Sequence, residues 1–68
     1  MSKPIVHFKA DSLSYVTRFY DGQVASVYAW DHPRLGHGWV ITSEVLKKNP
    51  DGSFETLNTI YVPAEETN

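Results

Sequence analysis

Short reversals recur along this chain at close, regular intervals: Asp11-Ser12, Asp21-Gly22, Pro33 to Gly38, Asn49-Pro50-Asp51-Gly52 and Pro63. The runs between them are rich in Val, Ile, Thr, Tyr, Phe and Trp. Residues of that kind suit a pleated, half-buried surface, so the pattern predicts strands over Ile5–Lys9, Leu13–Tyr20, Gln23–Trp30, Trp39–Lys48 and Ser53–Val62.

Two of the reversals predict a register. Asp21-Gly22 suits a two-residue type I′ hairpin, whose central residues need positive φ. That turn would set Phe19 opposite Val24, Tyr15 opposite Tyr28 and Leu13 opposite Trp30. Asn49-Pro50-Asp51-Gly52 suits a type I turn closed by a glycine bulge, since Pro presets φ and Gly takes the left-handed position. It would pair Lys47 with Glu55, Val45 with Leu57, Ser43 with Thr59 and Ile41 with Tyr61, joining opposite charges and apolar partners. One face then collects Leu13, Tyr15, Phe19, Val24, Tyr28, Trp30, Trp39, Ile41, Val45, Leu57 and Tyr61. The other keeps Val16, Val27, Val40, Leu46, Phe54, Ile60 and Val62. A small sheet that is apolar on both faces must curl or be covered. The expectation is a mainly β fold, a strongly twisted five-stranded antiparallel meander or small open barrel in the SH3 style. The alternative is α+β, with a short helix at 12–20, capped by Asp11 or Ser12, over a three-stranded sheet.

With 68 residues the chain holds one small domain, expected over 1–63, followed by a polar acidic tail at 64–68. The absence of cysteine excludes a disulfide scaffold, a thiol nucleophile and Cys-based zinc fingers. No apolar run approaches the ~20 residues of a membrane helix, and the N-terminus does not read as a signal peptide, so a cytoplasmic protein with no membrane partner is expected. Through residue 62 the basic side chains are matched one for one by acids, and the net charge of −2 comes from Glu65 and Glu66. Nucleic-acid binding needs clustered Lys and Arg, so this balance argues against it.

Function is expected on the connection Asp31-His32-Pro33-Arg34-Leu35-Gly36-His37-Gly38, the longest between strands, with Trp30 and Trp39 at its ends. Asp31, His32 and His37 offer three metal ligands in principle. Their spacing matches no zinc pattern, a fourth ligand such as His7 would have to come from elsewhere, and a Gly/Pro-shaped turn in water is the plainer reading. No cofactor is expected. Catalytic signatures such as Gly-x-Ser-x-Gly or His-Glu-x-x-His are absent, which points away from an enzyme. Trp, Tyr and Arg dominate the binding energy of protein interfaces, and that composition makes Trp30, Asp31, His32, Arg34, His37 and Trp39 the candidate interaction surface. The partner would be a protein or a second copy of the chain. A single-stranded nucleic-acid-binding barrel that stacks bases on its aromatic residues is the alternative.

The segments Asp31-His32-Pro33-Arg34-Leu35-Gly36, Trp39-Val40-Ile41-Thr42-Ser43-Glu44-Val45 and Phe54-Glu55-Thr56-Leu57-Asn58-Thr59-x-Tyr61 resemble those of small uncharacterised proteins encoded by bacteriophages and prophages. The likeness covers roughly residues 24–62 and carries no catalytic residue. It implies an accessory role in a bacterial cytoplasm, such as binding a host protein.

Overall fold

The computed structural model describes residues 3–18 and 22–65. The strands are β1 (Ile5–Lys9), β2 (Ser14–Arg18), β3 (Gly22–His32), β4 (Gly36–Ile41), β5 (Lys47–Lys48), β6 (Phe54–Glu55) and β7 (Ile60–Ala64). They form one mixed sheet in the order β2-β3-β1-β7-β6-β5, with β4 on the other side of β3. Residues beyond β4 keep following β3, through Thr42 N–H to Ala25 C=O at 2.8 Å and Val45 N–H to Gln23 C=O at 2.7 Å, before entering β5. The sheet thus curls back on itself as a small open barrel. The expected mainly β architecture is present, and residues 14–18 are strand, so the helical alternative does not form.

The connections differ from a five-stranded antiparallel meander. β1 and β7 pair in parallel, from Ile5 opposite Ile60 to Lys9 opposite Ala64, so Ala64 belongs to the sheet and not to a tail. The expected strand over Ser53–Val62 is two strands. Thr56 N–H bonds Thr59 C=O at 2.9 Å, and Phe54 and Glu55 turn back to face Tyr61 and Ile60. Asn58, a poor strand residue, lies in that reversal.

The Asn49–Gly52 turn forms as expected: Lys47 faces Glu55, Asn49 N–H bonds Ser53 C=O at 2.9 Å, and Gly52 has φ +92°. Its register does not extend to Val45 and Leu57. Val45 packs against the core, whereas Leu57 stands 69% exposed at the neighbouring reversal.

The β2–β3 register departs from the expected one by three residues. Tyr15 lies opposite Ala25, Val16 opposite Val24 and Arg18 opposite Gly22, so Gly22 is a paired strand residue and not the centre of the expected type I′ turn; residues 19–21 lie outside the described residues. Phe19 and its expected pairing with Val24 fall there too. An odd shift exchanges the two faces of a strand. β3 therefore turns Ala25, Val27 and Ala29 inward, all fully buried. Volume explains the choice. These small side chains leave room for rings from other strands: Phe54 stacks on Tyr61 (centroids 4.9 Å apart, 11° between planes) and meets Phe8 at 5.6 Å and Tyr15 at 5.8 Å. Val6 and Val40 complete the core, and Leu13 packs against it. An inward Tyr28 and Trp30 would have to occupy that same volume.

The shift is absorbed between β1 and β2. Phe8 faces Ala29 and Ser14 faces Ser26, so three more residues are spent on this side than on β3, and they form the 3-10 turn Ala10–Ser12. The Ser12 hydroxyl fills the missing rung. It donates to Lys9 C=O at 2.6 Å and accepts from Tyr28 N–H at 2.8 Å. A buried backbone amide left without a partner would be strongly unfavourable, so this side chain makes the bulge tolerable.

Candidate functional site: an aromatic face outside the sheet

With Ala25, Val27 and Ala29 inside, strand alternation sends Val24, Ser26, Tyr28 and Trp30 outside. β4 adds Trp39 opposite Tyr28 and Ile41 opposite Ser26. Trp39 and Ile41 are each 65% exposed. Tyr28 stands between two indoles, edge-on to Trp30 (5.3 Å, 66°) and perpendicular to Trp39 (5.6 Å, 90°). Trp30 is laid over towards β7 by its Nε1–H, which donates to Ala64 C=O at 3.1 Å.

Beside this row the 3-10 turn raises a wall. Lys9, Asp11, Ser12, Tyr28, Trp30 and Trp39 line an open groove of about 400 Å³. Further along the face Val16, Val24, Ser26 and Ile41 line a smaller apolar depression of about 100 Å³. The charges at the groove are balanced, with Lys9 Nζ 4.0 Å from Asp11 Oδ1.

The connection expected to be a long loop is a tight hairpin. β3 runs on to His32, β4 begins at Gly36, and only Pro33, Arg34 and Leu35 turn. Gly36, at φ +72°, takes the left-handed position such a turn requires. Within it the candidate residues separate. Asp31 faces β1, where Oδ1 accepts His7 N–H and Oδ2 meets His7 Nδ1, both at 2.6 Å. Partial burial would raise the Asp31 carboxyl, but the bonds from the His7 backbone and ring outweigh it and hold it below the usual aspartate range. His32 Nδ1 accepts from Arg34 N–H at 3.2 Å and Leu35 N–H at 3.4 Å, capping the turn. Arg34 is exposed at the tip. His37 lies beside the row, its Nδ1 3.4 Å from the Tyr28 hydroxyl.

Trp30, His37 and Trp39 thus gather on one face, Asp31 ties β3 to His7 of β1, His32 holds the hairpin turn, and Arg34 stands at its end. Among the described residues no three His, Asp or Glu side chains converge as a metal site. The expected set lacked Lys9, Asp11, Ser12, Ile41 and the central Tyr28. The first three reach the groove only because of the 3-10 turn, for which Asp11-Ser12 was a visible turn signal.

No helix among the described residues is long and apolar enough to cross a membrane. Comparison with protein-family models, with curated proteins and with solved structures finds no match.

Proposed function

We propose that this chain is a non-catalytic docking protein that works by protein–protein contact through the outer face of β3 and β4. The observation that carries the reading is Trp39 and Ile41, each 65% exposed, beside the Tyr28–Trp30 pair. In so small a domain large apolar side chains are needed in the core, and a contiguous exposed group of them is the usual mark of an interaction site. Arg34, at the tip of the same hairpin, adds an interface-type cation. The resemblance of residues 24–62 to phage-encoded proteins supplies a setting: an accessory factor in a bacterial cytoplasm that binds a host protein.

Chemistry in the groove is disfavoured by how its hydroxyl is used. Ser12 Oγ is engaged with Lys9 C=O and Tyr28 N–H, which leaves it poorly placed as a nucleophile. The aromatic row lends some support to base stacking, but the cations are scattered and two of the lysines are engaged. Lys3 pairs with Glu55 at 3.2 Å, and Lys48 bonds Gln23 at 2.8 Å and lies 4.0 Å over the Tyr15 ring.

The test is affinity capture from bacterial lysate, followed by titration with the purified captured protein. Trp39→Ala and Arg34→Ala should each weaken binding at least about tenfold, with unchanged circular dichroism. Full affinity in both variants would refute the reading. Salt-sensitive binding of single-stranded DNA at the same face would favour the nucleic-acid alternative instead.

A further inference from the structure

We infer that the free edge of β4 pairs with the β4 edge of a second copy, as an antiparallel two-fold dimer. This stands apart from the docking reading, because it uses the backbone edge of the strand and leaves the aromatic face open.

The direction of the backbone groups follows from one bond. Thr42 N–H donates to Ala25 C=O, so Ala25 and Thr42 are a hydrogen-bonded pair. Bonded and non-bonded pairs alternate along an antiparallel ladder. Val40 therefore bonds β3, opposite Val27, while Trp39 and Ile41 turn their N–H and C=O groups outward. The ladder is irregular between Ala29 and His32, but the extra residue lies on β3, three steps against two on β4, so the alternation along β4 turns His37 outward too. Among the described residues β4 pairs with β3 alone, so these groups face an open edge.

Protein edges are normally guarded by Lys, Pro or other charged residues. The strand at the far end of this sheet, β5, is Lys47–Lys48. β4 reads Gly-His-Gly-Trp-Val-Ile, with no Lys, Arg, Asp, Glu or Pro. It carries no charged or proline guard, and the bulge opposite its first residues lies on β3.

Charge selects the occupant. The nearest charged residues outside β4 are Arg34 on one side and Glu44 on the other, both exposed, and neither forms an ion pair among the described residues. An antiparallel two-fold with Trp39 opposite its own copy sets His37 opposite Ile41 of the second chain. It also carries each Arg34 to the end where the other chain presents Glu44. Opposite charges then meet at both ends, and all three outward residues exchange their bonds. The Tyr28–Trp39 rows of the two copies become one continuous aromatic face.

Size sets the strength. A six-residue strand is ~20 Å long, so edge pairing covers less than the ~800 Å² per partner of a standard stable interface. A contact of that size belongs to the small, transient class of interface, so the dimer should dissociate on dilution.

Sedimentation equilibrium from about 5 µM to about 1 mM tests this. The apparent mass should climb from near 7.7 kDa towards twice that value. Ile41→Lys, at an exposed position, should stay at the monomer mass. Arg34→Glu and Glu44→Arg should each weaken association several-fold, and the double reversal should restore it. That rescue does not depend on Ile41→Lys folding, since both charges lie on the surface. A wild-type chain that stays monomeric throughout overturns the inference. So does a dimer indifferent to Ile41→Lys and to the charge reversals.

Discussion

Thr42 closes the β3–β4 ladder with its side chain, and replacing it tests how the barrel turns its corner. Its residue is 6% exposed, and its Oγ1 accepts the N–H of fully buried Ala25 at 3.0 Å while donating to Ser43 C=O at 2.8 Å. The hydroxyl thus stands in for the strand carbonyl that would have bonded Ala25, and the chain is free to leave β3 and head for β5. Thr42→Val keeps the shape and removes the acceptor. A buried amide stripped of its partner destabilises by ~1–3 kcal/mol. A domain of this length has roughly 3–10 kcal/mol in total. The loss should lower the melting temperature by about 5–20 °C. Thr42→Ser keeps both hydrogen bonds and gives up one buried methyl, for a loss of about 1 kcal/mol. Urea melts should therefore rank wild type above Thr42→Ser and Thr42→Ser above Thr42→Val, with unchanged m-values. Amide exchange at Ala25 should speed up most in the Val variant, and in the Ser variant only by what its smaller loss of stability accounts for. A Val variant within about 0.5 kcal/mol of wild type, or more stable than the Ser variant, would refute the reasoning.

Three further outcomes follow from particular contacts. Asp31 has a lower pKa folded than unfolded, so between those values the unfolded chain binds more protons. Its contribution is complete above about pH 4 and is lost as pH falls through the folded value. Asp31→Asn should flatten that acid limb in urea melts at pH 2–5, by ~1 kcal/mol or less because the pair is half exposed. Leu57→Asp, at an exposed reversal, should leave stability within about 0.5 kcal/mol, whereas a large loss would restore the Val45–Leu57 pairing that the fold lacks. Gly52→Ala should cost about 1 kcal/mol at φ +92°, with Gly52→Asn milder because Asn tolerates that conformation, as thermal melts can show.

The composition of the strands and the Asn49–Gly52 turn were legible because their causes are local: β-branched side chains, a Pro that presets φ and a Gly at positive φ. The faces of β3 were not, because Asp21-Gly22 competes with a non-local demand. Four rings must share one small interior, and that is met only when Ala25, Val27 and Ala29 point inward. Nothing within Gly22–His32 states this, since both of its faces contain apolar residues. The parallel pairing of β1 with β7 joins the two ends of the chain and has no local mark. As for the site, Trp30 and Trp39 were visible from residue type. The groove wall at Lys9–Ser12 depended on a bulge created by two ladders out of step, and Asp31 and His32 were drawn into backbone capping that composition alone does not reveal.

Which way β3 faces decides whether the aromatic row is open to a partner, and the NMR cross-peaks of the Tyr15 ring report on that directly. A NOESY spectrum should connect Tyr15 to Phe54, whose ring centroid lies 5.8 Å away, and should show close Hα–Hα contact between Tyr28 and Trp39, which face each other across a non-bonded pair. Cross-peaks joining the Tyr15 ring to the Tyr28 ring would place both on one face, put the aromatic row inside the barrel and contradict the docking surface and all that is built on it.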